Sequence, residues 1–330
     1  MPAERYLVTG GTGCIGSWVV RLLVGDGVPV TVLSASGRLD RLRLILRDDE
    51  LGSVDLVKAD INDLATVEEV VRRTGSTGII HLAALQLPFC AADPIAGARV
   101  NVQGTATMFE VARRTGIGRL VYASSAAVYG PRDHYGTDVV GADAELFPTS
   151  FYGIYKMANE RAAAVYHTAH GIASIGLRPH SAYGPGRDQG VTSKPTVAMI
   201  AAAAGRPFHI DFGGAYQFQY VADVAAAFIA AARSTADAAA VYSCPGPRID
   251  VGHIVDLLAD LVPGSRGQIT HGDRILPFPP AFDGAPILDA MGPLPETPIE
   301  AGVERTVATY RSAFERGSLD RAWLDRVVGA

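Results

Sequence analysis

Along the first half of the chain, short runs of apolar and β-branched residues alternate with stretches in which apolar positions recur every three or four residues. Tyr6-Leu-Val-Thr9, Val30-Thr-Val-Leu33, Asp55-Leu-Val-Lys58, Gly78-Ile-Ile-His-Leu82, Arg119-Leu-Val-Tyr-Ala123 and Ala173-Ser-Ile-Gly-Leu177 predict buried strands of a parallel sheet. Strands covered on both faces read as continuous apolar runs. Between them, Ile15, Val19, Leu22 and Leu23 set an apolar stripe on one helix, which Gly25 and Gly27 end. Helices are also predicted over 93–116 and 151–170. Strand alternating with helix implies right-handed crossovers and a doubly wound α/β sheet. After Arg178 the texture changes to loops rich in Gly and Pro, such as Tyr183-Gly-Pro-Gly-Arg-Asp188 and the stretch from Pro277 with Pro279, Pro280 and Pro286. These predict a smaller, irregular region that covers a substrate. The expected division is 1–178, joined by about 219–244, for the sheet, and 179–218 with 245–330 for the substrate-binding region. The Ala-rich stretch from Val221 to Val241, interrupted by Asp223, Arg233 and Asp237, predicts a buried helix rather than a membrane span.

Composition narrows the class of partner. With 330 residues, 48% hydrophobic and 19% charged, the chain can bury a sizeable core. A net charge of −5, with Lys and Arg scattered, makes no electrostatic case for nucleic acid. The densest run, Arg38 to Arg47, reads as a solvated helix face. Cys14, Cys90 and Cys244 are too few and too far apart for a disulfide framework or a zinc site, so no metal is expected and a reducing cytoplasm is. The sequence reaches Tyr6-Leu-Val-Thr9 with no basic region followed by a long apolar core, so no signal peptide is expected.

The first motif with chemistry is the turn Gly10-Gly-Thr-Gly-Cys-Ile-Gly16, which follows a strand and opens an amphipathic helix. That context makes a glycine pattern a dinucleotide site of a Rossmann-type sheet. Gly10 permits the tight turn, Gly13 admits the pyrophosphate to the backbone, and Gly16 permits close packing of helix on sheet; Cys14 and Ile15 offer their N–H groups at the helix start. An acidic side chain at the end of the second strand usually holds the NAD ribose, and here Ser34 stands there with Arg38 and Arg41 following. NADP is therefore favoured over NAD, because a carboxylate would repel the 2′-phosphate and the arginines would neutralise it. Asp60-Ile61 follows the third strand and either borders the adenine or, through Asp60, caps the next helix.

Tyr152 and Lys156 stand four residues apart, on one face of a helix. Lowering a phenol from about 10 by about 3 units requires ~4 kcal/mol, the order one cation about 4 Å away supplies at an effective dielectric near 20. The phenol would then serve as an acid or base.

As a set, Thr9-Gly-Gly-Thr-Gly-Cys-Ile-Gly16, His81-Leu-Ala-Ala84, Asn101, Tyr122-Ala-Ser-Ser-Ala-Ala-Val-Tyr-Gly130, Tyr152 with Lys156, and Arg178-Pro-His-Ser-Ala-Tyr-Gly-Pro185 resemble the extended short-chain dehydrogenase/reductase superfamily, and within it the NAD-dependent epimerase/dehydratase branch. The resemblance implies that Ser125 is the catalytic serine, with Ser124 lining the same loop, that Tyr152 is the general acid/base, and that Lys156 tunes it and holds the nicotinamide ribose. It places Asn101 behind the lysine, Ala83 and Ala84 against the cofactor, Pro179 and His180 by the carboxamide and the substrate, and a homodimer through the helices carrying Asn101 and Tyr152. His81 is expected to be structural. Phe89 and Cys90 either line the pocket or form an apolar loop.

Two departures bear on the substrate. In the branch acting on nucleotide-diphosphate sugars an asparagine and an arginine usually hold the phosphates, and this chain has Ser181 and Tyr216 there, the latter opening Tyr216-Gln217-Phe218. Their loss would forfeit several kcal/mol at ~1.5–3 kcal/mol per charged hydrogen bond. Arg187, Lys194 or Arg206 would have to compensate. The leading expectation is thus an NAD(P)-dependent oxidoreductase acting on a hydroxyl or ketone of a small polyhydroxylated substrate. The alternatives are a nucleotide-sugar epimerase with permanently held NAD and a non-catalytic dinucleotide sensor. An intact Ser125, Tyr152 and Lys156 speaks against the sensor. Ala126 and Ala127, where a dehydratase would carry an acidic pair, rank that activity lower.

Overall fold

The strand-forming runs assemble into one seven-stranded sheet in a computed structural model that describes residues 4–329. Its strands are β1 (Tyr6–Thr9), β2 (Val30–Ser34), β3 (Asp55–Lys58), β4 (Gly78–His81), β5 (Arg119–Ala123), β6 (Ala173–Arg178) and β7 (Ala239–Ser243). They pair in the order β7-β6-β5-β4-β1-β2-β3, every pair parallel. The order reverses between β1 and β4, and the crevice outside the carboxyl ends of strands at such a reversal is where α/β sheets take their ligands.

The longer helices, in chain order, are α1 (Cys14–Gly25), α2 (Leu64–Thr74), α3 (Gly104–Thr115), α4 (Phe151–His170), α5 (Lys194–Ala203), α6 (Val221–Arg233), α7 (Val251–Leu261), α8 (Ile299–Glu315) and α9 (Arg321–Val328). Val19, Val20 and Leu23 of α1 pack with Val224, Ala227 and Phe228 of α6 on one face of the sheet. Val67 and Val70 of α2, Met108 and Phe109 of α3 and Ala163 of α4 cover the other face. Each such buried Val, Leu or Phe contributes about 1.5–3 kcal/mol, and both faces must be covered for a parallel sheet to stay dry.

Three expectations are corrected. β3 is an edge strand with Leu56 40% exposed, not a buried one. The stretch 221–241 is helical only to Arg233, and its last three residues open the seventh strand, Ala239–Ser243, placed by pairing with β6. The helix predicted over 93–116 runs through Pro94–Ala98, a π-helical segment Arg99–Gln103 and α3.

The remaining chain is more regular than its glycine and proline content predicts. Strands Ser181–Tyr183, Ala215–Tyr220 and Arg248–Asp250 form a small sheet. It packs with α5, α7 and α8 around Met199, Phe212, Phe218, Ile254, Leu258 and Val303. No helix among the described residues is long and apolar enough to cross a membrane.

Candidate active site

The β1–α1 turn forms one end of a cavity of about 940 Å³. Gly10 adopts φ +70°, and a Cβ there would lie 2.5 Å from Ala83 N. A Cβ on Gly16 would lie 2.1 Å from the Gly10 carbonyl oxygen, so this glycine is required by the helix folding back on its own turn rather than by packing on the sheet. No side chain caps α1, whose N-cap is Gly13, and its first-turn N–H groups are left for an anionic ligand. Gly10, Gly13, Cys14, Ile15, Gly16, Arg38, Ala84, Pro179 and His180 line this cavity together with Ser124, Ser125, Tyr152 and Lys156. The donor set and the glycine cradle fit a dinucleotide.

The catalytic candidates arrive on α4 and on the loop after β5. Ser150 caps α4 by accepting from the Gly153 N–H at 3.1 Å. A Cβ on Gly153 would lie 2.1 Å from the Ala127 carbonyl oxygen, so only glycine lets the helix seat Tyr152 against the serine loop. Ser125 Oγ accepts from the Ala127 N–H at 3.1 Å and starts the short turn Ala126–Val128. Lys156, 3% exposed, donates from Nζ to the Ala123 carbonyl at 2.6 Å and stands 5.6 Å from the centre of the Tyr152 ring. Burial raises the Tyr152 phenol, against the pull of the Ser125 hydroxyl and the Arg187 charge. Burial also brings Lys156 down to about 8. The expectation that Lys156 lowers the phenol is thereby corrected: both groups are desolvated, and the ammonium is engaged by a carbonyl.

Behind these side chains lies a polar cluster that the sequence did not reveal. Arg178, at the end of β6, donates from Nε and Nη2 to both carboxylate oxygens of Glu160 on α4 at 2.8 and 2.7 Å, and from Nη1 to Tyr129 Oη at 2.8 Å. Ser124 Oγ donates to Glu160 at 2.5 Å, so its proton is committed to this pair and towards the cavity its oxygen is left to accept. Asn101, in the π-helical segment, donates from Nδ2 to the Leu85 carbonyl at 3.1 Å and contacts Cys90 Sγ at 3.2 Å. Its Oδ1 is buried without a partner, and it does not line the cavity. His81 bridges Thr9 and Thr105 at 2.6 and 3.1 Å, and burial takes it down to about 3, a structural neutral histidine.

Other candidates lie elsewhere than expected. Ser34, Asp60, Ile61 and Ala83 do not line the cavity. Ser34 Oγ accepts from the Gly37 N–H at 3.3 Å and lies 3.1 Å from Thr12 Oγ1. Asp60 accepts from Asn62 and pairs with Arg99 at 3.0 Å, and the cap of α2 is Asp63 instead. Ile61 packs beneath Gly104. Phe89 lines the cavity, while Cys90 is buried beside Asn101. The His180 backbone donates to Gln219 Oε1 at 2.9 Å, and its Nδ1 lies 3.0 Å from the Gln217 carbonyl. Phe278, Phe282 and Tyr216 surround its ring, and burial lowers it to about 4. Of the three cations expected to replace the missing phosphate contacts, Lys194 pairs with Asp211, Arg206 pairs with Asp325, and Arg187 lines the cavity.

A model of the NAD dependent epimerase/dehydratase family matches residues 6–244. The chain belongs to this family. It is 29% identical over 324 residues to the UDP-glucose 4-epimerase of Mycolicibacterium smegmatis, covering 93% of this chain and 99% of that protein. Among solved structures, the UDP-glucose 4-epimerase of Thermus thermophilus in complex with NAD is 25% identical with a TM-score of 0.75, covering 94% of this chain and 100% of that one. MoeE5 in complex with UDP-glucuronic acid and NAD is 26% identical with a TM-score of 0.75, at the same coverage. The protein is thus an enzyme of the extended short-chain dehydrogenase/reductase type, which sets aside the non-catalytic sensor. The preference for NADP is overturned: both family structures hold NAD. The chain agrees with this at Arg41, whose charge is met by Asp188 at 2.5 Å in a part-buried pair, while Arg38 makes only an exposed pair with Asp40 at 2.6 Å.

Proposed function

We propose that the protein is an NAD-dependent oxidoreductase acting on a carbinol or ketone carbon of a small polyhydroxylated, sugar-like substrate, with Tyr152 as its acid/base. The observation that carries this is the convergence of Tyr152, Ser125 and Lys156 on a single cavity that also opens on the glycine turn. The nicotinamide, when bound, supplies the hydride acceptor or donor. Tyr152 takes the hydroxyl proton or returns it, and Ser125 Oγ orients the same oxygen. Lys156 would hold the ribose, Gly10, Gly13 and Gly16 would admit the pyrophosphate, and Pro179 and Ala84 would contact the cofactor from the cavity wall. Asn101 braces the wall through Leu85, and His180 meets the substrate. In this reading residues 1–178 with 219–244 hold the cofactor, while 179–218 and 245–330 hold the substrate. A homodimer in the cytoplasm belongs to it as well. Ile95, Phe151, Ile154 and Val165 leave large apolar surface on the helices expected to pair, and the three cysteines are free thiols.

A second reading, a nucleotide-sugar 4-epimerase that returns the hydride to its substrate, is favoured by the full-length likeness to a UDP-glucose 4-epimerase. Buried Ser181 and Tyr216 at the expected diphosphate positions weigh against it. Mass spectrometry of the nucleotide released on denaturation, followed by exchange with added NAD, separates the two. An empty or rapidly exchanging site supports net oxidation or reduction, and NAD held near one per chain supports epimerisation. Tyr152→Phe should abolish turnover in either case, and unchanged turnover would refute the acid/base assignment.

A further inference from the structure

Arg187 sits in the loop between strand Ser181–Tyr183 and α5 and lines the cavity together with Tyr152 and Gln86. Its Nη2 donates to Thr192 Oγ1 at 3.3 Å, while its Nε is buried without a partner. Among the described residues no carboxylate pairs with it, because the adjacent Asp188 is taken by Arg41 at 2.5 Å. The other cavity cations are engaged or outlying: Lys156 donates to Ala123, Arg38 is exposed beside Asp40, and Arg326 is exposed on α9. Gln86 Oε1 is a second buried atom without a partner. Gly190, at φ +105°, lies between the two side chains, for a Cβ there would be 2.7 Å from Gln86 Oε1 and 3.1 Å from Arg187 Nη2. Tyr152 and Cys14 line the same cavity, and although burial dominates at both, the Arg187 charge also pulls the phenol and the thiol down. Arg187 is half-buried and faces the cavity with its Nε shielded from water, and a guanidinium so placed without a carboxylate partner favours an anion, whose oxygens its planar fork matches.

We propose that Arg187 and Gln86 form an oxyanion subsite beside Tyr152, so that the substrate is a sugar-derived hydroxy acid or its phosphate counterpart, with its anion on Arg187 and a hydroxyl donating to Gln86 Oε1. The inference rests on the reading of Tyr152 as the place of the reacting carbinol, and it narrows the substrate class. One guanidinium suits one anionic group, and neither Ser181 nor Tyr216 adds the second cation that a nucleoside diphosphate calls for.

The NAD-loaded full chain is titrated calorimetrically with gluconate, galacturonate, a hexose phosphate, the neutral aldoses glucose and galactose, and UDP-glucose, and NADH formation is followed by absorbance. At least one acid or the phosphate should bind about 10-fold or more tightly than its neutral counterpart, and which of them does so tells carboxylate from phosphate. Arg187→Gln should weaken that ligand about 30-fold or more with NAD affinity kept within about 3-fold, and Arg187→Lys should recover part of the loss. Retained NAD binding shows that both variants are folded. Equal binding of acids and neutral sugars, or an unaltered affinity in Arg187→Gln, overturns the subsite. So does tighter binding of UDP-glucose that ignores Arg187, or a parallel loss of NAD affinity, which would assign the guanidinium to the cofactor pyrophosphate. Tyr152→Phe keeps the two proposals apart: acid binding retained with turnover lost upholds both, whereas turnover retained sinks the acid/base role and leaves Arg187 to be judged by the binding data.

Discussion

Replacing Glu160 by Gln keeps the shape of the side chain and removes its charge, leaving Arg178 buried at 7% exposure without a counter-ion. Three hydrogen bonds end on this carboxylate, two from Arg178 and one from Ser124. Breaking a buried pair by removing one partner costs about 3–5 kcal/mol, because the remaining ion keeps its desolvation penalty without the attraction that offset it. For 330 residues the unfolding entropy is about 0.7 kcal/mol/K, so Tm should fall by about 4–7 °C. Differential scanning calorimetry of Glu160→Gln, Arg178→Met and the double variant measures it. The double variant should lose about 2 kcal/mol less than the sum of the singles, since neither charge is then stranded. A fall below about 1 °C in Glu160→Gln, or strict additivity, would refute the argument that the pair is coupled and buried. Turnover should fall as well, because the same carboxylate ties the loop of Ser124 and Ser125 to the helix that carries Tyr152.

Three further outcomes are expected. With the Tyr152 phenol raised by burial, initial rates of carbinol oxidation, which needs the phenolate, should climb with pH through the alkaline range, while ketone reduction, which needs the phenol, should already be fast at neutrality; a flat oxidation profile would count against Tyr152 as base. Gly153→Ala places a Cβ 2.1 Å from the Ala127 carbonyl oxygen, so the helix must shift, lowering Tm by about 1–4 °C and kcat by about 100-fold; a fully active, equally stable variant would show that the contact is not needed. Burial holds His81 at about 3 when folded, against about 6.5 unfolded, so its contribution to stability is complete above pH 6.5 and is lost as pH falls from there toward 3; His81→Asn should flatten the acid limb of the stability curve by up to about 1.4 kcal/mol per pH unit in that window, as measured by denaturant titration.

Much of this protein was determined by residues near one another in the chain. β1, β3, β5 and α4 have the ranges that the apolar runs and the 151–170 helical pattern predict, because periodicity is a property of consecutive residues. The glycine turn and the four-residue spacing of Tyr152 and Lys156 were legible for the same reason. Charge pairing was not, since a partner is chosen by contact and not by sequence separation. Arg41 resembled a phosphate ligand until Asp188, 147 positions away, was seen to hold it at 2.5 Å. The fold gave the Ser124 proton to Glu160, and Lys156 looked like the cation for Tyr152 until burial and the Ala123 carbonyl set its position. Ala239-Ala-Val241 reads as the end of an alanine-rich helix and becomes part of strand β7 because β6 offers it a parallel edge. The local pattern decided which elements form and which side chains share a face; the packing decided which charges are neutralised, which hydroxyls are taken, and that Arg187 is left facing the cavity with no anion of its own.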